Sequence, residues 1–262
     1  MDGTLLKDKN KRISHQTKEY LKKLNNDGHI IILASGRPYS ELLPYYNSIG
    51  LKTPLVCFNG IHCFNPNDKN FPEIKFTFKK EHALELIDKL LGTSIDNAFV
   101  ETDNKVWMIK EDDEIISFMW PHKTQRNMIF GHFKDTLDED PMTFITVNKG
   151  YNNPDYIEEC VKKYPHTHVR FWFNKFYSEL YFDGVSKAHC LEEIRKYYNI
   201  PIEDTIAFGD YHNDIEMINW SAHGVAMKNG IDELKKHAKH ITHRDNNHNG
   251  IIKTLKQIIK EN

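Results

Sequence analysis

Two carboxylates and an amide fall within five residues in Gly209-Asp210-Tyr211-His212-Asn213-Asp214. Crowding of this kind is hard-cation chemistry, because Mg²⁺ prefers oxygen ligands and keeps several of its waters. A plainer reading makes Asp210 a turn residue and Asp214 a helix N-cap; the extra amide of Asn213 favours a metal. Three further motifs bear on phosphate. Ala34-Ser35-Gly36-Arg37 follows an apolar run, a place where a small hydroxyl and backbone N–H groups can hold an anion, or where Ser35 merely caps a helix at Pro38. Gly184-Val185-Ser186-Lys187 reads as a helix start with Ser186 as cap. There Lys187 is either an ordinary exposed lysine or, facing a cleft, a cation that adds to the positive helix end against a phosphoryl group. Asp2-Gly3-Thr4-Leu5-Leu6, taken alone, is only a turn signal.

Strands and helices must bring these motifs together. The unbroken run Ile30, Ile31, Ile32, Leu33 suits a strand buried on both faces of a parallel sheet, and residues 54–58 repeat the pattern before Asn59-Gly60. Ser14 followed by Thr17, Tyr20, Leu21 and Leu24 predicts a capped amphipathic helix closed by Asp27-Gly28. The alternation returns near the other end, with helix 186–198, strand 205–208, helix 213–219, strand 224–227, helix 231–238 and a last helix from Ile251. Both ends are therefore expected in one α/β, doubly wound, mostly parallel sheet. The middle has another rhythm: helix 81–91, strands 98–101, 106–109 and 142–147, helix 155–164, strands 169–173 and 179–182. That mixture predicts an α+β domain inserted over 79–184, between core segments 1–78 and 185–262. Trp107, Phe171, Trp172, Phe173 and Tyr177 lie in or beside it; most are expected in its core, with one or two facing a substrate.

Composition narrows the function classes. With 35 Lys+Arg against 37 Asp+Glu the formal net charge is −2 and no basic block stands out, which speaks against a nucleic-acid partner. The longest apolar stretches fall far short of the roughly 20 residues that span a bilayer, and no signal-peptide core begins the chain. A soluble, cytoplasmic protein without a membrane partner is expected. Cys57, Cys63, Cys160 and Cys190 form no C-x-x-C pair and read as free core thiols. His237, His240, His243 and His248 lack companions at ligand spacing and read as a solvated polar edge.

In chain order, Asp2-Gly3-Thr4, Ser35-Gly36-Arg37, Lys187 and Gly209-Asp210-x-x-Asn213-Asp214 resemble the four signature motifs of the haloacid dehalogenase (HAD) superfamily. Asn59-Gly60 and Gly224-Val225-Ala226-Met227-Lys228-Asn229 are similar to its Cof-type subgroup, subclass IIB. The resemblance covers both ends of the chain, and within the insert it is one of arrangement rather than motif. It implies a HAD-like core with a cap, and Mg²⁺-dependent hydrolysis of small phosphorylated metabolites, sugar phosphates foremost, through an aspartyl-phosphate. One aspartate attacks phosphorus; a second, two residues later, protonates the leaving oxygen and then deprotonates water. Asp2 matches the second. The resemblance further implies that Thr4, Ser35, Gly36, Arg37, Asn59 and Asn213 bind phosphate or substrate, and that Lys187 offsets transition-state charge and keeps the nucleophile ionised. Asp210 would bind Mg²⁺ directly together with the carbonyl of Asp2, while Asn213 and Asp214 complete or orient the shell and hold Lys187. The cap would close over the site, exclude water and choose the substrate.

The family pattern is D-x-D-G-T, and Met1 stands at x, so the nucleophile falls one position ahead of the first residue. The strand that carries it falls there too. A chain without that strand is expected to leave two strand edges and apolar faces unburied, and a shortened gene model or late start codon is the expected cause. Two rival readings keep most of the same residues. One is a non-enzymatic phosphate and Mg²⁺ pocket built on Ser35, Lys187 and Asp210; the other is a phosphomutase or phosphotransferase that returns the phosphoryl group to a sugar.

Overall fold

Ser14 accepts the N–H of Thr17 at 3.1 Å and so starts helix α1 (His15–Asn26), which buries Thr17, Leu21 and Leu24. In the computed structural model, which describes residues 1–120, 126–150, 153–172 and 176–261, this helix belongs to the first of two compact units. That unit comprises Met1–Ile74 and Ser186–Asn262; the second is Lys75–Val185.

In the first unit α1 leads to β1 (Leu33–Ala34), α2 (Tyr39–Ile49), β2 (Leu55–Cys57), β3 (His62–Phe64) and β4 (Ile74–Lys75). The order is β1-β2-β3-β4, with β1 parallel to β2 and β3 antiparallel to it. The expected strand over 30–33 is shorter and later than its apolar run suggests. Only Leu33 and Ala34 pair, with Leu55 and Val56, and Ile30 is 38% exposed. A hydrophobic run becomes a ladder only where a neighbour stands about 4.8 Å away, and β1 has one on one side alone among the described residues.

The second unit contains α3 (Lys80–Leu90), β5 (Asn97–Glu101), β6 (Lys105–Met108), α4 (Asp113–Met119), β7 (Asn127–Phe130), α5 (Phe133–Thr136), β8 (Thr143–Val147), α6 (Pro154–Val161), β9 (Thr167–Phe171) and β10 (Tyr177–Phe182). Its six strands run β7-β6-β5-β8-β10-β9, antiparallel except for the β6/β7 pair. One sheet face packs Val100, Trp107, Phe144 and Leu180 against Leu86, Ile87 and Ile157 of the helices, and the other packs Phe99, Met108 and Ile145 against Ile115 of α4. Trp107 and Tyr177 are core residues and Phe171 and Trp172 are partly buried, while Phe173 lies outside the described residues.

The chain then returns to the first unit with α7 (Lys187–Tyr197), β11 (Ile206–Gly209), α8 (Ile215–Trp220), β12 (His223–Ala226), α9 (Asp232–His237), β13 (His240–Ile241) and α10 (Gly250–Glu261). Strands β11, β12 and β13 form a separate parallel sheet. The single doubly wound sheet expected from the sequence is thus two sheets, and the fold is α/β with mixed sheets. Between β1 and β11 lies a cavity of about 430 Å³, lined among others by Leu24, Ile32, Leu191, Ile206, Phe208 and Leu255. That gap is too wide for a ladder, so the facing edges of β1 and β11 carry none. All four cysteines are free and buried. Among the described residues no helix is long and apolar enough to cross a membrane.

Candidate active site

The site gathers at the carboxyl ends of β1 and β11. Helix α7 begins there: Ser186 accepts the N–H of His189 at 3.3 Å, and Gly60 presses against its first turn. Gly60 sits at φ +103°, and a Cβ on it would stand 2.2 Å from the Ser186 carbonyl oxygen, so only glycine fits. Lys187, the first helical residue, is 4% exposed, which removes the reading of an ordinary surface lysine. Its Nζ donates to Asp214 Oδ1 at 2.6 Å. Asp214 Oδ2 accepts the backbone N–H groups of Asp210 at 2.9 Å and Tyr211 at 3.2 Å. Burial pushes the Asp214 carboxyl up, but the charge and hydrogen bond of Lys187, the α-amino group of Met1 and the Asp210 N–H together hold it below the usual carboxylate range. Both oxygens are engaged, so Asp214 orients Lys187 and the 210–211 turn.

Asp210 follows β11 directly. The hydroxyl of Thr4 donates to its Oδ1. Gly3, at φ +65°, lets the backbone come so near that a Cβ would lie 2.1 Å from Asp210 Oδ2. Asn229 Nδ2 holds this turn by donating to the Gly3 carbonyl at 2.7 Å. Burial, reinforced by the nearby Asp214 charge, pushes the Asp210 carboxyl up against the pull of the Thr4 hydrogen bond. A carboxylate in that position gains from a cation beside it. Among the described residues no group of three or more His, Cys, Asp or Glu is arranged to hold a metal ion. One half-buried carboxylate edge among oxygen donors fits Mg²⁺, which retains waters, and not Zn²⁺, which wants several nitrogen or sulfur ligands.

Asn213 turns toward the other half of the unit, its Nδ2 donating to Asn59 Oδ1 at 2.8 Å. Asn59 occupies a left-handed backbone position, φ 58°, and its N–H donates to the Ser35 carbonyl at 2.9 Å. Ser35 is buried; its Oγ accepts the Arg37 N–H at 3.1 Å and does not cap α2, whose N-cap is Pro38. Gly36 lies against the Asn59 side chain, which a Cβ would approach to 3.1 Å. Arg37 has its guanidinium committed: Nε and Nη2 donate to Asp2 at 2.8 and 2.9 Å, and Nη1 donates to Glu41 at 2.8 Å. Lys11 adds a 3.2 Å contact to Asp2 Oδ1. Against the cost of burial, the Arg37 fork holds the Asp2 carboxyl well below its ordinary range. Arg37 therefore engages carboxylates and presents no open fork to a phosphate.

All the motif residues fall in one cluster. Three partners carried no sequence signal for their roles: Lys11, Glu41 on a helix, and Asn229, quoted only as part of a subgroup pattern.

A family model for haloacid dehalogenase-like hydrolases matches residues 1–255. A 5-amino-6-(5-phospho-D-ribitylamino)uracil phosphatase of Bacillus subtilis, YitU, is 32% identical over 98% of this chain and 94% of its own. A second B. subtilis phosphatase of the same named activity, YcsE, is 25% identical over 98% of this chain and 92% of its own. Among solved structures, a haloacid dehalogenase-like hydrolase from Bacteroides thetaiotaomicron superposes with a TM-score of 0.83 at 23% identity, covering 98% of this chain and 96% of that one. A HAD subclass IIB sugar phosphatase superposes with a TM-score of 0.77 at 21% identity over the same shares.

Proposed function

Because the chain belongs to the haloacid dehalogenase-like hydrolases, among the Cof-type subclass IIB phosphatases, we propose that its site hydrolyses a primary phosphate monoester carried on a sugar or polyol chain. The observation that carries this reading is the convergence of Lys187, Asp214, Asp210 and Thr4 in one buried hydrogen-bonded group at the carboxyl ends of strands. The ribityl phosphate on which the B. subtilis relatives act and the sugar substrates of the subclass IIB neighbour both support the same substrate chemistry.

Lys187 is positioned to offset charge on the phosphoryl oxygens, and its pairing with Asp214 keeps the ammonium in place. Ser35, whose hydroxyl oxygen accepts the Arg37 N–H, would donate its own proton to a phosphoryl oxygen. Asp2 is the proton carrier: as the ester P–O bond breaks and its electron pair stays on the leaving oxygen, that oxygen takes a proton from Asp2. Asp2 then takes a proton from the water that attacks phosphorus, the second step of the aspartyl-phosphate route that the family resemblance implies. Mg²⁺, held by Asp210 and the Asp2 carbonyl with Asn213 at the edge of its shell, would supply positive charge beside the phosphoryl oxygens.

The test is phosphate release from sugar, polyol and aryl phosphates with and without Mg²⁺. Turnover that disappears on chelation is expected, along with a loss on the order of 10²-fold or more in kcat/KM for Asp210→Asn. Metal-independent turnover, or full activity in that variant, sinks the reading.

A further inference from the structure

Asp210 sits inside a closed circuit of contacts, and the circuit is anchored by a residue outside the site. On one side the Met227 N–H donates to the Gly209 carbonyl at 2.8 Å and the Ile231 N–H to the Asp210 carbonyl at 3.0 Å, which fixes the turn 227–230 against the end of β11. Gly230 comes so near that a Cβ would stand 3.2 Å from Asp210 Cα. From that turn the Asn229 side chain reaches the Gly3 carbonyl, and the Thr4 hydroxyl closes the circuit on the Asp210 carboxylate. The Asn229 amide has one orientation available. Its Oδ1 accepts the backbone N–H of Asn246 at 3.1 Å, and a backbone N–H can only donate, so Nδ2 must face Gly3.

Asn246 is 5% exposed and opens the 3₁₀ turn Asn246–His248, which Asp245 caps by accepting the His248 N–H at 3.0 Å. Its Nδ2 donates to the Leu6 carbonyl and to Asp8 Oδ1, both at 2.8 Å. One buried side chain thus ties this loop to the segment just after Thr4, while the same residue's N–H holds Asn229 on Gly3.

We infer that Asn246, acting through Asn229, is a positioning residue for Mg²⁺: the two hold the Asp2-Gly3-Thr4 turn against Asp210 and so set the metal affinity without touching metal or substrate. The Asp2 carbonyl and the Asp210 carboxylate come from opposite ends of the chain. A cation gains fully from two such oxygens only where the fold has already fixed their spacing; otherwise part of the binding free energy goes into ordering the turn. The inference rests on these two groups being the metal ligands proposed above.

The experiment measures Mn²⁺ binding to the substrate-free protein from the loss of the free-ion electron paramagnetic resonance signal, Mn²⁺ standing in for Mg²⁺ on the same oxygen ligands. It compares the wild type with Asn229→Ala, Asn246→Ala and the double variant, each also unfolded in urea. Asn229 is exposed, so its variant remains informative even if loss of the buried Asn246 prevents folding. Each single change is expected to weaken Mn²⁺ binding on the order of 10-fold, and the double variant to lose no more than the weaker single one, because both act through one contact. The Mg²⁺ concentration for half-maximal turnover should rise in the same proportion, with KM for p-nitrophenyl phosphate unchanged once Mg²⁺ is saturating. Wild-type Mn²⁺ affinity in folded variants, whatever their urea midpoints, would make the network purely structural, and fully additive losses would mean that Asn246 does not act through Asn229; either overturns the inference alone. A wild type that takes up no Mn²⁺ overturns the proposed metal ligands and this inference with them.

Discussion

Lys187 and Asp214 are the residues on which the site depends most for its shape. Both are buried, and a buried pair is costly to break because the remaining charge is left uncompensated in a poorly polarisable surrounding. Lys187→Met is therefore expected to destabilise the protein by about 3–5 kcal/mol, and adding Asp214→Asn, which keeps an oxygen for the Asp210 and Tyr211 N–H groups, to recover a substantial part of it. Urea unfolding of both variants measures this; a Lys187→Met protein as stable as wild type would show that the pair is not a structural lock. At this scale the sequence was informative about identity and poor about partnership. The types and order of Asp2, Ser35, Lys187 and Asp210 pointed to phosphate and Mg²⁺ chemistry without any structure. That Thr4 serves Asp210, Arg37 serves Asp2, and Lys11 and Asn229 belong to the same group depends on contacts between residues up to 226 positions apart, for which local spacing holds no information.

Elements with a strong local signal came through well, and those defined by a neighbour did not. Helix α1 has its cap, its apolar stripe and its glycine stop in the sequence, and α7 has Ser186. Strand β1 reads as four or more residues but pairs over two, because pairing is a property of two edges. The expected helix over 213–219 begins instead with a 3₁₀ turn, His212–Asp214, since Asp214 is drawn back to its own loop by the Asp210 and Tyr211 N–H groups. Short α4 and β7 lacked a long enough periodic run to be recognised. One tie between elements can be tested by pH. Glu192 of α7 accepts from Arg195 at 2.7 and 2.9 Å and from the Trp220 indole of α8 at 3.0 Å, which lower its carboxyl to about 2. A folded value below the unfolded one gives stability that is fully present above the ordinary glutamate range and is lost as pH falls through about 2. Glu192→Gln should thus be less stable than wild type at pH 6, with the difference shrinking from pH 4 downward. Urea midpoints at pH 6, 4 and 3 read this directly, and a difference that stays constant across them counts against the tie.

At the scale of the whole molecule the chain crosses between its two units twice, which gives them unlike dependence on the rest of the sequence. The first unit is assembled from both chain ends: one of its cores joins Val56, Cys63 and Phe71 to Cys190 and Ile194, so neither segment can bury its apolar surface without the other. The second is continuous, and its sheet carries a core on each face, with Trp107 and Phe144 wholly buried on one and Phe99 on the other. Several of its buried polar groups find partners within it, as where Glu101 meets Arg126 and the Trp120 indole, and where Asn97 donates to the Lys110 carbonyl at 2.7 Å, while Ser94 Oγ, Arg126 Nε and Tyr164 Oη have no hydrogen-bond partner among the described residues. A unit with its own core and its own hydrogen-bond partners meets the conditions for folding alone. Residues 75–185 expressed by themselves are accordingly expected to unfold in one cooperative transition. Circular dichroism and tryptophan fluorescence should coincide, and the emission should be blue-shifted by the buried Trp107 and Trp120. Non-coincident transitions, or red-shifted emission in native buffer, would show that this unit needs the first to complete its packing. In the cooperative case, substitutions within 75–185 can be screened for folding in the isolated fragment before any assay of the full chain.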